Sequence, residues 1–312
     1  MIYRVFIDGA EGTTGLKIRE RFAAREDIEL VPIDPEKRKD LTERARVING
    51  CDAAILCLPD AASREIAPHV APEVRLLDAS TAHRTDPGWV YGLPELSSMQ
   101  RLAVIGSRRV AVPGCHATGF AVLVYPLIAL GIAPKDYPFV CHSLTGYSGG
   151  GKKMIAAYED PQRPGSYNAP RQYALGQRHK HLPEMQKAAG LLYPPIFNPI
   201  VADYYSGMLV TVPLHSRLLR RHMTAESIHD AFAAHYEGQQ FVRVRPFGDL
   251  PPDGTLSAGE LSGRNDLEIF VYGRDEQIML AARFDNLGKG ASGAAVQCMN
   301  LMLGLPEATG LL

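Results

Sequence analysis

The segment Tyr3-Arg4-Val5-Phe6-Ile7-Asp8-Gly9-Ala10-Glu11-Gly12-Thr13-Thr14-Gly15 sets a short strand directly against a glycine-rich turn. Residues 3–8 alternate and are rich in branched and aromatic side chains, the composition of a strand. Glycines at 9, 12 and 15 permit a tight turn and let backbone N–H groups approach an anion where a helix begins. The spacing G-x-x-G-x-x-G is a variant of the dinucleotide fingerprint. Glycine marks many strand-to-helix turns for steric reasons alone. The weight therefore lies on the strand before it and the helical stretch Thr13 to Arg25 after it, with Leu16, Ile18 and Phe22 toward a core. Gly9, Gly12, Thr13, Thr14 and Gly15 form the candidate pyrophosphate cradle.

Outward from this turn, strand-like and helix-like segments alternate. Glu29 to Ile33, Ala53 to Leu58 and Val74 to Asp78 read as strands. Asp40 to Ile48 and Ala61 to His69 read as helices between them. Repeated units with unbroken apolar strands indicate a parallel sheet covered on both faces. Right-handed crossovers then give an α/β, Rossmann-type doubly wound domain. The end of the second strand should meet an adenosine ribose. Asp34 there suits a ribose hydroxyl, whereas Lys37-Arg38-Lys39 suits a 2′-phosphate; three adjacent cations favour NADP(H), with Arg38 as the named contact.

After Val112 the character changes. An apolar helix, Thr118 to Leu130, is followed by strands, a Pro/Gly/Tyr-rich irregular stretch from 160 to 199, and more strands. Leu267 to Tyr272 and Gln277 to Phe284 read as an antiparallel hairpin turning at Gly273-Arg274-Asp275. The expectation is a dinucleotide-binding domain over 1–113, a second mixed α/β catalytic domain over 114–285, and a C-terminal segment over 286–312 whose Ala/Met-rich helix is buried.

Composition narrows the class. With 312 residues and 46% hydrophobic content the chain can bury a substantial core. A net charge of −1 with scattered cations argues against a nucleic-acid binder. No stretch reads as a signal peptide, and the longest apolar run, Phe120 to Ile132, is too short to span a bilayer. Five cysteines, at 51, 57, 115, 141 and 298, show neither a disulfide framework nor a zinc spacing. The expectation is a cytoplasmic protein with no membrane partner and no metal.

Val112-Pro113-Gly114-Cys115-His116-Ala117-Thr118 carries the chemistry. A strand ends, Pro-Gly turns the chain, and Cys115 falls where an apolar helix begins. The partial positive charge there favours thiolate, the nucleophilic form. The other four cysteines read as small buried hydrophobes. A thiolate doing acyl chemistry needs an acid/base, and Arg178-His179-Lys180-His181-Leu182-Pro183-Glu184 offers two histidines. In an extended segment they would share a face, with Glu184 to orient one of them. A second glycine-rich loop, Leu144-Thr145-Gly146-Tyr147-Ser148-Gly149-Gly150-Gly151-Lys152, suits a phosphate or carboxylate through Tyr147, Ser148, Gly149 and Lys152. It lacks P-loop spacing, and a flexible linker is its bland alternative.

Taken in order, these motifs resemble one family, the N-acetyl-γ-glutamyl-phosphate reductases in their shorter form, nearly end to end. The resemblance rests on GAEGTTG, CLPD, Ala79-Ser80-Thr81-Ala82-His83-Arg84, Tyr91-Gly92-Leu93-Pro94-Glu95-Leu96, PGCHAT, GYSGGGK and HKHLPE. Asp285-Asn286-Leu287-Gly288-Lys289-Gly290-Ala291-Ser292-Gly293 completes it. His116 and Val112 stand where larger members usually have Tyr and Asn, which fits the short form. The wider superfamily includes aspartate-semialdehyde dehydrogenase and is similar to glyceraldehyde-3-phosphate dehydrogenase.

The resemblance implies NADPH-dependent reduction of an acyl phosphate through a Cys115 thioester, in arginine biosynthesis, with release of inorganic phosphate. It implies that Ser80, Asn286 and Gly290 line the nicotinamide side and that the last helix returns to the nucleotide domain. Arg84, with its fixed donors, is the candidate for the departing phosphate. A homo-oligomer, dimer or tetramer, is expected. The competing readings are an aspartate-semialdehyde dehydrogenase-like reductase, a non-catalytic NADP sensor, and an NADP-independent thiol hydrolase.

Overall fold

A computed structural model describes residues 1–312 and divides the chain into two compact units, Met1–Gly114 with Ala291–Leu312, and Cys115–Gly290. The first unit begins with β1 (Tyr3–Asp8), α1 (Thr13–Phe22), β2 (Ile28–Leu30), α2 (Leu41–Asn49), β3 (Ala53–Leu56), α3 (Asp60–Ile66) and β4 (Arg75–Asp78). It continues through β5 (Val90–Tyr91), α4 (Ser98–Gly106) and β6 (Arg109–Ala111). Its six strands lie in the order β2-β1-β3-β4-β6-β5, every neighbouring pair parallel. This is the doubly wound sheet that the alternating pattern implies. β3 is buried at all four residues, as a strand covered on both faces must be. Phe6, Ala54, Leu56 and Leu76 pack with Val47 and Ile48 of α2 and Ile66 of α3 into one side of its core. Each such fully buried aliphatic side chain contributes about 1.5–3 kcal/mol by leaving water.

Asp40 caps α2, its carboxylate accepting the Glu43 N–H at 2.8 Å. α1 ends at Phe22, three residues short of the expected Arg25, and Leu16 is 39% exposed where a core position was expected. Ile18 and Phe22 are its buried large side chains, and Gly15 packs against the Gly9-Ala10 backbone.

The second unit holds α5 (Cys115–Ala129), β7 (Val140–Gly146), α6 (Gly151–Glu159), β8 (Arg171–Gln172), α7 (Leu182–Ala189), β9 (Ile196–Ala202) and β10 (Met208–His215). It closes with α8 (Ala225–His235), β11 (Val242–Val244), β12 (Leu267–Arg274) and β13 (Gln277–Phe284). Its mixed sheet runs β11-β12-β13-β10-β7-β9-β8, with β7–β9 and β11–β12 parallel and the rest antiparallel. α5 is apolar nearly all round and packs on β10 and β13. The approach is close enough that a Cβ at Gly119 would lie 2.5 Å from Val210 Cγ2.

Two expectations need correction. The β12–β13 register pairs Arg274 with Gln277, so the hairpin turns on Asp275-Glu276, not on Gly273-Arg274-Asp275. Gly273 is instead a strand position at φ +104, where a Cβ would strike the Gln277 carbonyl at 2.1 Å. The stretch 160–199 is not irregular throughout: it contains β8, α7 and the start of β9.

The chain then re-enters the first unit as α9 (Gly293–Leu303), buried along its whole length. Tyr3 donates to the Leu303 carbonyl at 3.0 Å, Arg75 to that of Met302 at 2.7 Å, and Arg25 to Asn300 Oδ1 at 2.8 Å. None of the helices is long and apolar enough to cross a membrane.

Candidate active site

The glycine turn has the shape of a cradle. Gly9 sits at φ +85, and a Cβ there would lie 2.4 Å from the Cys57 carbonyl oxygen at the end of β3. A Cβ on Gly15 would meet the Gly9 carbonyl at 2.6 Å. Gly12 opens α1, and no side chain caps that helix. Beside it lies a cavity of about 510 Å³ lined by Gly9, Ala10, Glu11, Ile33, Arg38 and Lys39, among others. Asp8 also lines it, paired with Arg44 at 2.8 Å; burial nonetheless pushes the Asp8 carboxyl above the ordinary carboxylate range.

Asp34 is engaged locally, its carboxylate accepting the Glu36 N–H at 3.0 Å, whereas Arg38 and Lys39 reach the cavity wall. Arg38 makes a two-pronged ion pair with Glu11 at 3.0 Å. Both side chains are more than half exposed, so that pair is worth roughly 0–1 kcal/mol and yields readily to a phosphate. An uncapped helix start, glycines that exclude Cβ atoms, and two cations on the wall fit a dinucleotide carrying a 2′-phosphate.

In the second unit, Cys115 is the first residue of α5 and half-buried. A Cβ on Gly290 would lie 2.8 Å from Cys115 Cβ, so glycine is needed at 290 for that packing. The other thiols sit in settings that suppress ionisation. Burial pushes Cys51 up to about 11, and burial with the charges of Asp78 and Asp8 pushes Cys57 up to about 12. Burial raises Cys141 further, while Cys298 donates to the Gly92 carbonyl at 3.2 Å.

Around the start of α5 the structure gathers a cluster of rings. His116 lies 5.6 Å from His179 and 5.4 Å from His181, ring centre to ring centre, and those two are 4.7 Å apart. The pair converges although 179–181 is not extended: His181 has helical backbone angles and precedes α7. Its backbone N–H donates to His179 Nδ1 at 3.1 Å, which leaves the proton of a neutral His179 on Nε2. Glu184 is buried in the first turn of α7, one turn after His181. Both nitrogens of His116 are engaged, Nδ1 with Ser143 at 2.6 Å and Nε2 with Tyr173 at 2.7 Å, so that ring has no lone pair to offer a metal. Burial, with the charges of His179 and Lys180, pulls His116 down to about 3, so it is neutral at pH 7.

The 144–152 segment is no flexible linker: it closes β7, turns through a short 3₁₀ stretch and starts α6. Lys152 is exposed on the first turn of α6, whose N-cap is Gly150 with no capping side chain. Tyr147 stacks on Tyr158 at 4.8 Å and donates to Glu159 at 3.4 Å. Ser148 is buried and accepts from Asn286 Nδ2 at 3.0 Å, and Asn286 Oδ1 in turn accepts the Gly207 N–H at 2.8 Å. Gly149 packs beside Asn286 and Thr145. Asn286 is thus a brace joining three segments of the second unit.

In the first unit, Arg84 is buried; its Nε donates to the Val112 carbonyl at 2.9 Å and its Nη2 to that of Ala79 at 3.2 Å. Ser80 donates to Asp78 at 2.8 Å. Asp78 has no exposure and also accepts from Ser63 at 3.1 Å and meets His83 Nδ1 at 2.6 Å. His83 stacks on Trp89 at 4.2 Å.

Sequence reasoning did not find Tyr173, Ser143 or the Asp78–His83 brace. Tyr173 lies in the stretch without periodicity, next to Ala174 and near Gln177, which hold left-handed φ values of 52° and 53°. Those strained positions are visible only in the fold. The glutamine's amide pairs with both the N–H and the carbonyl of Phe197, each at 2.8 Å, and fixes the loop to β9.

Residues 4–103 match the family described as semialdehyde dehydrogenase, NAD binding domain, and residues 115–286 match semialdehyde dehydrogenase, dimerisation domain. A protein of a Nostoc species named N-acetyl-gamma-glutamyl-phosphate reductase 2 is 49% identical, with 99% of each chain covered. One of the same name from Pseudomonas putida is 46% identical, with 98% of each covered. N-acetyl-gamma-glutamyl-phosphate reductase from Burkholderia ambifaria is 47% identical, with 97% of each covered. Among solved structures, aspartate semialdehyde dehydrogenase II from Vibrio cholerae shares the fold at TM-score 0.72 and 17% identity, covering 97% of this chain and 99% of that one. Aspartate semialdehyde dehydrogenase with NADP from Candida albicans does so at TM-score 0.66 and 12% identity, covering 97% and 99%. With a nucleotide cradle in one unit, a thiol at a helix start in the other, and named relatives matching over almost the whole length, the chain belongs to the N-acetyl-gamma-glutamyl-phosphate reductase family of the semialdehyde dehydrogenases.

Proposed function

We propose that the chain reduces N-acetyl-γ-glutamyl phosphate to N-acetylglutamate semialdehyde with NADPH, releasing phosphate, through a thioester on Cys115. The observation that carries this reading is Cys115 at the first position of α5, with His179, His181 and Tyr173 gathered around the ring of His116, the next residue. The whole-length relatives named for that reaction supply the substrate.

The helix start favours the Cys115 thiolate, and its sulfur attacks the acyl carbon. The carbon–oxygen bond to phosphate breaks, and phosphate leaves with the electron pair. Thiolate is both nucleophile and later leaving group, so one hard displacement becomes two easier steps. Gly9, Gly12, Thr13, Thr14 and Gly15 would hold the pyrophosphate of NADPH and Arg38 with Lys39 its 2′-phosphate, and the cofactor would supply the hydride that the acyl carbon requires. His179 is the acid/base: its Nε2–H supports the carbonyl oxygen as charge grows there and takes the proton back when the C–S bond breaks. His181 fixes the His179 ring through its backbone N–H, and Glu184, buried in the first turn of α7, places negative charge at that helix start. Lys152, with Tyr147 and the Gly149 turn, receives the phosphate, and Arg84 acts within the first unit by bracing the Val112 and Ala79 carbonyls. Ser148 and Asn286 act by bracing that loop, Ser80 by shaping the end of β4, and Gly290 by leaving room beside Cys115. The protein works in the cytoplasm as a dimer or tetramer.

The reverse reaction tests this reading. N-acetylglutamate semialdehyde should reduce NADP only when phosphate is present, and aspartate semialdehyde should do so at least about 100-fold more slowly in kcat/KM. NADP reduction that ignores phosphate, or a preference for aspartate semialdehyde, overturns it.

A further inference from the structure

Two buried polar groups and a half-buried one form a chain beginning at the residue after the nucleophile: Ser143 Oγ, His116 and the Tyr173 hydroxyl. Ser143 lies on β7 with no exposure, and its hydroxyl makes a single hydrogen bond, 2.6 Å to His116 Nδ1. The Tyr173 hydroxyl likewise makes one within the protein, 2.7 Å to His116 Nε2. His116 is 3% exposed and neutral, so only one of its two nitrogens carries a proton.

Two arrangements are open to it. With the proton on Nδ1, His116 donates to Ser143, and the serine's own O–H has no acceptor in a dry site. With the proton on Nε2, Ser143 donates to Nδ1, Nε2–H donates to the tyrosine oxygen, and the O–H left over is that of Tyr173, which is only half-buried. An unsatisfied buried hydroxyl is costly enough to favour the second arrangement by roughly ten-fold or more. The consequence falls on Tyr173. Its oxygen accepts from His116, so its own hydrogen is left over and no protein atom takes it. The hydroxyl lies within the electrostatic reach of the Cys115 sulfur, whose negative charge adds to burial in raising the phenol.

We propose that Ser143 and His116 are positioning residues that fix the His116 proton on Nε2 and thereby present the Tyr173 O–H as a donor to the acyl oxygen held at Cys115. The proposal rests on the reading of Cys115 as the acylated nucleophile and deepens it. Neither Ser143 nor His116 touches substrate; both act through Tyr173. A serine on the neighbouring strand thus governs proton placement at the site, which a purely packing role does not require.

The direct test is nitrogen NMR of the full-length protein labelled with ¹⁵N-histidine, in which the two ring nitrogens of a neutral imidazole report which one is protonated. His116 should show its proton on Nε2 in the unliganded protein, and a proton on Nδ1 overturns the proposal. Activity supplies a second arm. Ser143→Ala should lower kcat about ten-fold with KM and NADP affinity within about two-fold, and Ser143→Thr should recover most of the loss. If Ser143→Ala folds and keeps full kcat, the proposal fails; if it does not fold, the tautomer of the parent protein still decides. A protein with Nε2–H on His116 but no acylation of Cys115 would refute the nucleophile and leave the tautomer intact.

Discussion

At the residue scale, His179 and His181 have different surroundings, and the proposed mechanism gives them different roles. His179 is half-buried with its Nδ1 occupied, and His181 is 5% exposed at the start of α7. His179→Asn should lower kcat on the order of 100-fold with NADP affinity unchanged. His181→Asn should cost much less in kcat, and steady-state kinetics of the two variants would reverse the assignment if the order is opposite. His116 gives a stability prediction. Its folded value, about 3, lies below the unfolded 6.5, so the unfolded chain binds the extra proton between those values. Stability is therefore complete above about pH 6.5 and falls as pH drops toward 3. This group alone should make the protein about 2 kcal/mol less stable at pH 5 than at pH 7. Urea unfolding at the two pH values measures it, and the contribution should vanish in His116→Gln. Of these residues, Cys115, His179 and His181 were legible in the sequence, because a Pro-Gly turn before an apolar run and a His-x-His spacing are local signals. Ser143 and Tyr173 were not: a serine inside an apolar strand and a tyrosine in a loop acquire meaning only when the sheet brings them to His116.

Among elements, the glycine turn and the start of α5 were readable for the same reason. Each has a recognisable strand before it and a helix after it, so the turn chemistry has a frame. Residues 160–199 offered no period, and α7 within them is short and follows a loop held by the Gln177–Phe197 pairing, a tertiary contact. The two glycine contacts give paired expectations. Gly9→Ala places a Cβ against the Cys57 carbonyl from a left-handed backbone, and should weaken NADP binding at least about ten-fold, read by quenching of protein fluorescence. Gly290→Ala presses on Cys115 Cβ within the second unit, and should lower kcat about ten-fold or more while NADP binds normally. Normal nucleotide binding in Gly9→Ala, or loss of it in Gly290→Ala, contradicts these roles.

For the molecule as a whole, the parallel sheet and the mixed sheet follow from pattern, the return of the last helix to the first unit is implied only by the family resemblance, and the hairpin register follows from neither. Arg274 pairs with Gln277 because Gly273 can hold φ +104 within a strand, a freedom that no period-2 pattern reveals. On the proposed reading the first unit binds the nucleotide and the second acylates Cys115, so formation of the thioester should need no reductant. The decisive measurement is mass spectrometry of the protein mixed with N-acetyl-γ-glutamyl phosphate in the absence of NADPH. One N-acetylglutamyl group should appear on the peptide containing Cys115, with one phosphate released per chain, and both should be absent in Cys115→Ala even though that variant still binds NADP. Sustained reduction with Cys115 never acylated, or acylation found on another residue, would contradict the account.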